Sequence, residues 1–241
     1  MGPFVFSTRV AYADIDQSRN LSLTGAMRMM QEAAIIHSDL SGYSVMDVER
    51  TGVVWMLIQW RVKLFRKISW NTPVNVETWP QTMERLTSNR CFRIRLASGE
   101  IVAAAESSWV LVSAETGKVM RIPQEVADAY NLIPDGVFDD VCEKLPQKTG
   151  EEICSFRVPR RDLDTNLHVN NLVYLDYALQ TLPEDLDISA FSEVVVRYHK
   201  QLLQGDEVHC YLLQSENDYL IQICGDDPRH VHCSVKFIQE N

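Results

Sequence analysis

Apolar positions switch between the period of a strand and the period of a helix, and the switches come in the same order in each half of the chain. Phe4, Phe6, Val10 and Tyr12 predict a strand over 4–12. A polar loop, Asp14-Ile-Asp-Gln-Ser-Arg-Asn20, comes next. Met27, Met30, Ala33, Ala34 and Ile36 then recur at helical spacing as far as about Leu40, and Gly42 supplies a stop. A short helical piece from Val45 to Arg50 ends at Gly52. Strand-like runs cover 53–65, 74–82, 85–96 and 100–113, and a short helix begins at Ile122-Pro-Gln-Glu. Residues 131–150 hold Pro134, Gly136, Pro146 and Gly150 among acidic residues and predict a linker.

The second half follows the same plan. It has a strand over 152–158, a polar loop, a helix from about Asn170 to Leu182 stopped by Pro183, and strands near 189–203, 207–215, 218–224 and 230–238. Laying Asp164 on Asp16 (164 − 16 = 148) puts His168 on Asn20 and Asp162 on Asp14. Gln204–Val208 mirrors Trp70–Val74 in the same way. Each copy reads as strand, loop, long helix and a four-stranded antiparallel meander, which predicts a duplicated α+β unit. The expected domains are 1–130 and 151–241, joined by the linker at 131–150.

Composition narrows the class. The 241 residues are 46% apolar and 23% charged, enough for one large or two small cores and typical of a globular protein. The chain has no apolar run of about 18 residues and no signal-like start, so the expectation is a cytoplasmic protein without stable membrane insertion. A net charge of −10 argues against a nucleic-acid partner, which needs a basic footprint. Basic residues do gather locally, and Arg157, Arg160 and Arg161 stand just ahead of the second polar loop. The six cysteines form no Cys-x-x-Cys pair and lie mostly in strand-like stretches, as reduced core thiols do. The six histidines show no metal-ligand spacing, and neither metal nor cofactor is expected.

Candidate chemistry concentrates in Asp162-Leu-Asp-Thr-Asn-Leu-His-Val-Asn-Asn171. These residues combine carboxylates, carboxamides and an imidazole just before a helix. That set can supply a base or nucleophile, a donor for developing negative charge and a proton carrier. The bland reading is a turn with helix caps, which suits Asn170, Asn171 and Asp162 best. In the first copy the histidine is replaced by Asn20, so one site per chain is expected.

Asp164-x-Asn166-x-His168-Val-Asn-Asn171-x-x-Tyr174 resembles the signature of the acyl-acyl carrier protein (acyl-ACP) thioesterases. The likeness extends over nearly the whole chain, through Met30-Gln-Glu-Ala, Val76-Glu-Thr-Trp79, Ser107-Ser-Trp-Val and Ile122-Pro-Gln-Glu-Val126. The resemblance implies a tandem hot-dog fold, with two antiparallel sheets each wrapped round a long helix. It also implies hydrolysis of fatty acyl-ACP to free fatty acid, with Asp164, Asn166 and His168 at the catalytic positions. The acyl chain is then expected in the first repeat, around Met27, Met30, Trp55 and Leu57. Arg157, Arg160 and Arg161 would face the acidic carrier protein. One departure stands out. The family commonly has Glu-Cys after a Tyr-Arg-Arg segment, whereas this chain reads Tyr198-His-Lys-Gln201-Leu202. Leucine cannot act as a nucleophile, and Gln201 can orient water but cannot accept its proton. A hot-dog acyl-CoA thioesterase and a non-catalytic acyl-thioester binding module are the alternatives, and both monomer and homodimer are open.

Overall fold

Ser22 sets the start of the first long helix. Its Oγ accepts the Gly25 N–H at 2.9 Å, satisfying one of the helix's orphan donors. The helix α1 (Leu23–Leu40) buries Leu23, Ala26, Met27, Met30, Ala33 and Ala34 on one side. Gly25 is needed at this point because any Cβ there would collide with the Asp14 carbonyl. In the computed structural model residues 2–146 and 150–239 are described, and the chain divides into two compact units, Met1–Val141 and Cys142–Asn241.

In the first unit β1 (Phe4–Arg9) precedes α1, and the short α2 (Val48–Thr51) follows it, ending at Gly52 with φ 68°. Then come β2 (Val53–Leu64), β3 (Pro73–Met83), β4 (Thr87–Leu96) and β5 (Ile101–Ser113). A two-residue β6 (Val119–Met120) pairs with β5, and α3 (Gln124–Ala129) closes the unit's secondary structure. The antiparallel sheet runs β1-β3-β4-β5-β2, with α1 against β3, β2, β4 and β1. Only β3, β4 and β5 form a meander. The expected fourth member, β2, pairs with β5, because β1 occupies the other edge of β3 and residues 65–72 are too long for a tight hairpin.

The second unit repeats this order with β7 (Glu151–Arg157), α4 (Val173–Thr181), β8 (Phe191–Tyr198), β9 (Glu207–Gln214), β10 (Asp218–Cys224) and β11 (Val231–Gln239). Its sheet runs β7-β9-β10-β11-β8, the first unit's order strand for strand, and α4 lies on β10, β9 and β11. The helix α4 has nine residues and starts three positions later than expected. Asn170 Oδ1 takes the Leu172 N–H at 3.0 Å, which holds residues 170–172 in a turn before the helix begins.

The expected linker is not free chain. Trp79 Nε1 donates to the Asp135 carbonyl at 2.9 Å and Asp140 pairs with Arg61 at 2.9 Å, fixing its first part on the first unit. From Cys142 the chain lies on the second unit, where Leu145 joins Val195 and Leu220 in the core. Residues 147–149 fall outside the described residues. Among the described residues no helix is long and apolar enough to cross a membrane.

Candidate active site

The loop between β7 and α4 is tied to itself. Asp164 N–H donates to the His168 carbonyl at 2.8 Å, Leu167 N–H to the Asp164 carbonyl at 3.1 Å, and Asn170 N–H to the Asp162 carbonyl at 2.9 Å. Asp164 Oδ1 accepts the Asn166 N–H at 2.8 Å and the His168 N–H at 3.3 Å. Among the described residues Oδ2 has no protein partner, and neither does the ring of His168 nor the amide of Asn166. Asp164 and His168 are half-buried and Asn166 is exposed. The loop thus holds the three residues in one turn through bonds to the backbone, and leaves these side-chain groups without a partner among the described residues.

The decayed twin has the same skeleton. Asp16 N–H donates to the Asn20 carbonyl at 2.9 Å, Arg19 N–H to the Asp16 carbonyl at 3.0 Å and Ser22 N–H to the Asp14 carbonyl at 2.9 Å. Arg19 and Leu167, 148 positions apart by 167 − 19, both hold a left-handed backbone, with φ of 63° and 62°. Side-chain chemistry separates the copies. Asp16 Oδ1 is held by the Ser18 hydroxyl at 2.6 Å, and Asp14 is ion-paired to Arg28 at 2.6 Å.

Two tyrosines fasten the loop to its unit, and a third holds the segment at Leu202 beside it. Tyr177 donates to Asp162 Oδ2 at 2.5 Å, Tyr198 donates to the Asn171 carbonyl at 2.9 Å, and the Tyr174 oxygen accepts the Leu202 N–H at 2.9 Å. Burial pushes all three phenols above their ordinary range, so they stay protonated and act as struts. Only Tyr174 stands out in the sequence motif. The i, i+3 spacing of Tyr174 and Tyr177 on one helix was the available signal for the second.

Leu202 and its neighbours run alongside the loop. Val169 N–H donates to the Leu202 carbonyl at 3.0 Å, and His168 bridges Leu203 as a strand partner would. Leu202 itself is fully buried. Gln201 is exposed, and its carbonyl lies 3.1 Å from His232 Nδ1. Backbone donors at the start of α4 are fewer than its position in the sequence suggested. The Val169, Asn170 and Leu172 N–H groups are all spent inside the protein, whereas Asn171 N–H has no hydrogen-bond partner among the described residues.

Comparison with known proteins follows from this geometry. Residues 4–130 match the acyl-ACP thioesterase N-terminal domain and residues 146–234 the C-terminal domain. The chain belongs to the acyl-ACP thioesterase family. It is 23% identical to an Arabidopsis thaliana chloroplastic oleoyl-acyl carrier protein thioesterase, across 81% of this chain and 58% of that protein. A Cuphea hookeriana palmitoyl-acyl carrier protein thioesterase is 29% identical across 78% of this chain and 49% of its own length. The chain therefore spans about half the length of the curated relatives it matches. The crystal structure of an acyl-ACP thioesterase from Bacteroides thetaiotaomicron superposes with a TM-score of 0.85 at 19% identity, covering 98% of this chain and 97% of that one. The fold is the tandem hot dog that the family resemblance implied, and it accounts for the repeat.

The remaining expected contacts of an acyl-ACP thioesterase divide unevenly. Trp55 lines a cleft in the first unit, while Met27, Met30 and Leu57 are buried core residues outside its lining. Arg157 is already ion-paired to Glu207 at 3.1 Å and Arg161 to Asp162 at 3.5 Å. Arg160 is exposed and has no ion pair among the described residues. Burial pushes the thiols of Cys91 and Cys210 up to about 12 and that of Cys224 to about 11, which keeps them protonated and inert.

Proposed function

We propose that this chain hydrolyses the thioester of fatty acyl-ACP, releasing a free fatty acid and ending chain elongation. The second unit carries the chemistry, and the first holds the acyl chain. The observation that carries this reading is the divided Asp164 carboxylate, with Oδ1 committed to the loop and Oδ2 open, in a chain of this family.

A thioester carbonyl is activated, and its thiol leaving group has a pKa of about 8.5. The reaction therefore needs delivered water and carbonyl polarisation more than a strong acid. Asp164 Oδ2 takes a proton from water as the C–O bond forms, or attacks directly to give an acyl anhydride that water then opens. The carbonyl oxygen gains charge facing the Asn166 amide and Asn171 N–H. The C–S bond breaks, and His168 helps return the proton to the departing thiolate. Gln201 orients water from the segment that follows β8. Arg160, the arginine without an ion pair, meets the acidic carrier protein.

Asp164→Ala or His168→Ala should reduce turnover of acyl-ACP by at least about a hundredfold, as removal of a positioned acid–base group does. Far-ultraviolet circular dichroism should remain that of the parent. Near-normal hydrolysis by folded Asp164→Ala protein would sink the assignment. Acyl-CoA hydrolysis is the second reading, and because CoA also carries phosphates the pairing of Arg157 and Arg161 bears on both substrates alike. Comparing kcat/KM for one acyl group on carrier protein and on CoA decides between them.

A further inference from the structure

The cleft of the first unit has a mostly apolar wall, aliphatic and aromatic, and one buried cation. Ile35, Val45, Val48, Val54, Trp55 and Trp109 are among the residues that line it. Arg90, on β4, also lines it and is only 6% exposed. Its Nη1 makes hydrogen bonds to His37 Nδ1 at 3.0 Å and Thr78 Oγ1 at 3.2 Å. The guanidinium lies 5.7 Å from the centre of the Tyr130 ring. None of these partners is an anion. Burial and the adjacent Arg90 hold His37 down to about 4, so it is a neutral acceptor at physiological pH. Among the described residues Arg90 has no carboxylate partner, and its Nε and Nη2 have no hydrogen-bond acceptor.

A buried guanidinium without a counter-charge is costly, and the cost is relieved by an anion that can take two parallel N–H donors. A carboxylate has that shape, and an aliphatic cleft beside it demands an alkyl chain. We propose that this cleft binds a carboxylate-terminated alkyl chain, with the carboxylate on Arg90. Two molecules carry that chemistry, and naming them rests on the proposed hydrolysis. One is the free fatty acid, which would make the cleft a product site. The other is an acyl thioester whose far end bears a second carboxylate.

Binding to the full chain is measured by titration calorimetry with dodecanoate and with its uncharged methyl ester. Dodecanoate should bind at least about tenfold more tightly, the gain expected of a charge-assisted pair, and Arg90→Met should erase the difference. Equal affinity for acid and ester in the parent protein would overturn the proposal, and that result stands even if Arg90→Met fails to fold. Undiminished preference for the acid in folded Arg90→Met protein would overturn it as well. To separate the two sources, the CoA thioester of dodecanedioic acid is compared with dodecanoyl-CoA in the Asp164→Asn variant. An Arg90-dependent preference for the diacid thioester identifies the substrate, and a preference confined to free dodecanoate identifies the product. Because binding needs no turnover, a protein that binds dodecanoate yet hydrolyses nothing refutes only the proposed function. An active hydrolase that does not discriminate acid from ester refutes only the Arg90 site.

Discussion

The Asp164 carboxylate serves the loop with one oxygen and is open at the other, so a substitution can separate the two roles. Asp164→Asn keeps an Oδ1 acceptor for the Asn166 and His168 amides but cannot take a proton. Its urea midpoint should stay close to that of the parent, while single-turnover hydrolysis falls by at least about a hundredfold. Asp16→Ala is the matched control in the twin loop. It loses the contacts to Ser18 and the Asn20 amide and should cost about 1 kcal/mol of stability with no change in rate. Equal rate losses in both variants would mean that Asp164 acts only as a turn residue. The residue pattern alone could raise this distinction but not resolve it. A carboxylate two positions before an asparagine is a turn signal and a catalytic signal alike, and only the hydrogen bonds reveal which oxygen is spent.

At the scale of elements, α4 presents two hydroxyls in opposite senses: Tyr177 donates to the loop before the helix, and Tyr174 accepts from Leu202 in the segment after β8. Tyr177→Phe removes one strut without changing the apolar contact of its ring with Phe156, whose centroid is 4.7 Å away. The expected result is a loss of about 1 kcal/mol in denaturant unfolding together with a several-fold fall in kcat, because Asp162 no longer holds the loop against the helix. A stability loss with kcat intact would show that the loop keeps its geometry without this bond. The strands, α1 and the two matching loops could be read from periodicity because their patterns are local. The start of α4 could not, since Asn170 turns the chain before the helix forms. Which N–H groups at the helix entry are spent was also out of reach, because the carbonyl that consumes the Val169 N–H comes from Leu202, 33 positions on (202 − 169).

For the whole molecule, charge and burial set how stability and encounter respond to conditions. Burial lowers the pKa of His37, His199 and His232. Each is therefore neutral in the folded chain at pH values where the unfolded chain, with an ordinary imidazole near 6.5, already binds a proton. This contribution is absent above the unfolded pKa and grows as pH falls, so stability should drop between pH 6.5 and about 4, the folded value for His37. Urea midpoints across that window should show the fall, and His37→Gln should flatten part of it. A parallel curve for the variant would remove His37 from the account. The net charge of −10 disfavours an acidic carrier at long range, so a local cation has to matter if one docks. Arg160→Glu should raise KM for acyl-ACP several-fold at low salt and leave small-thioester hydrolysis unchanged, while an unchanged KM would take Arg160 off the docking surface. Arg157 and Arg161 are poorer tests, since reversing either puts like charges beside Glu207 or Asp162.

Taken alone, the order of residues determined the duplicated α+β plan, which loop of the pair carries the histidine, and the leucine rather than cysteine at position 202, while its motifs resembled a family with a tandem hot-dog fold. These follow from periodicity, spacing and residue type, which are properties of neighbours along the chain. Tertiary structure decided what neighbours cannot: that β2 pairs with β5, that Met27, Met30 and Leu57 are core while Trp55 faces a cleft, and that two of three arginines are already neutralised. It also placed Arg90 at that cleft beside neutral partners. Pairing, burial and the presence of a counter-charge depend on groups far apart in sequence, and they acquire values only when the chain folds.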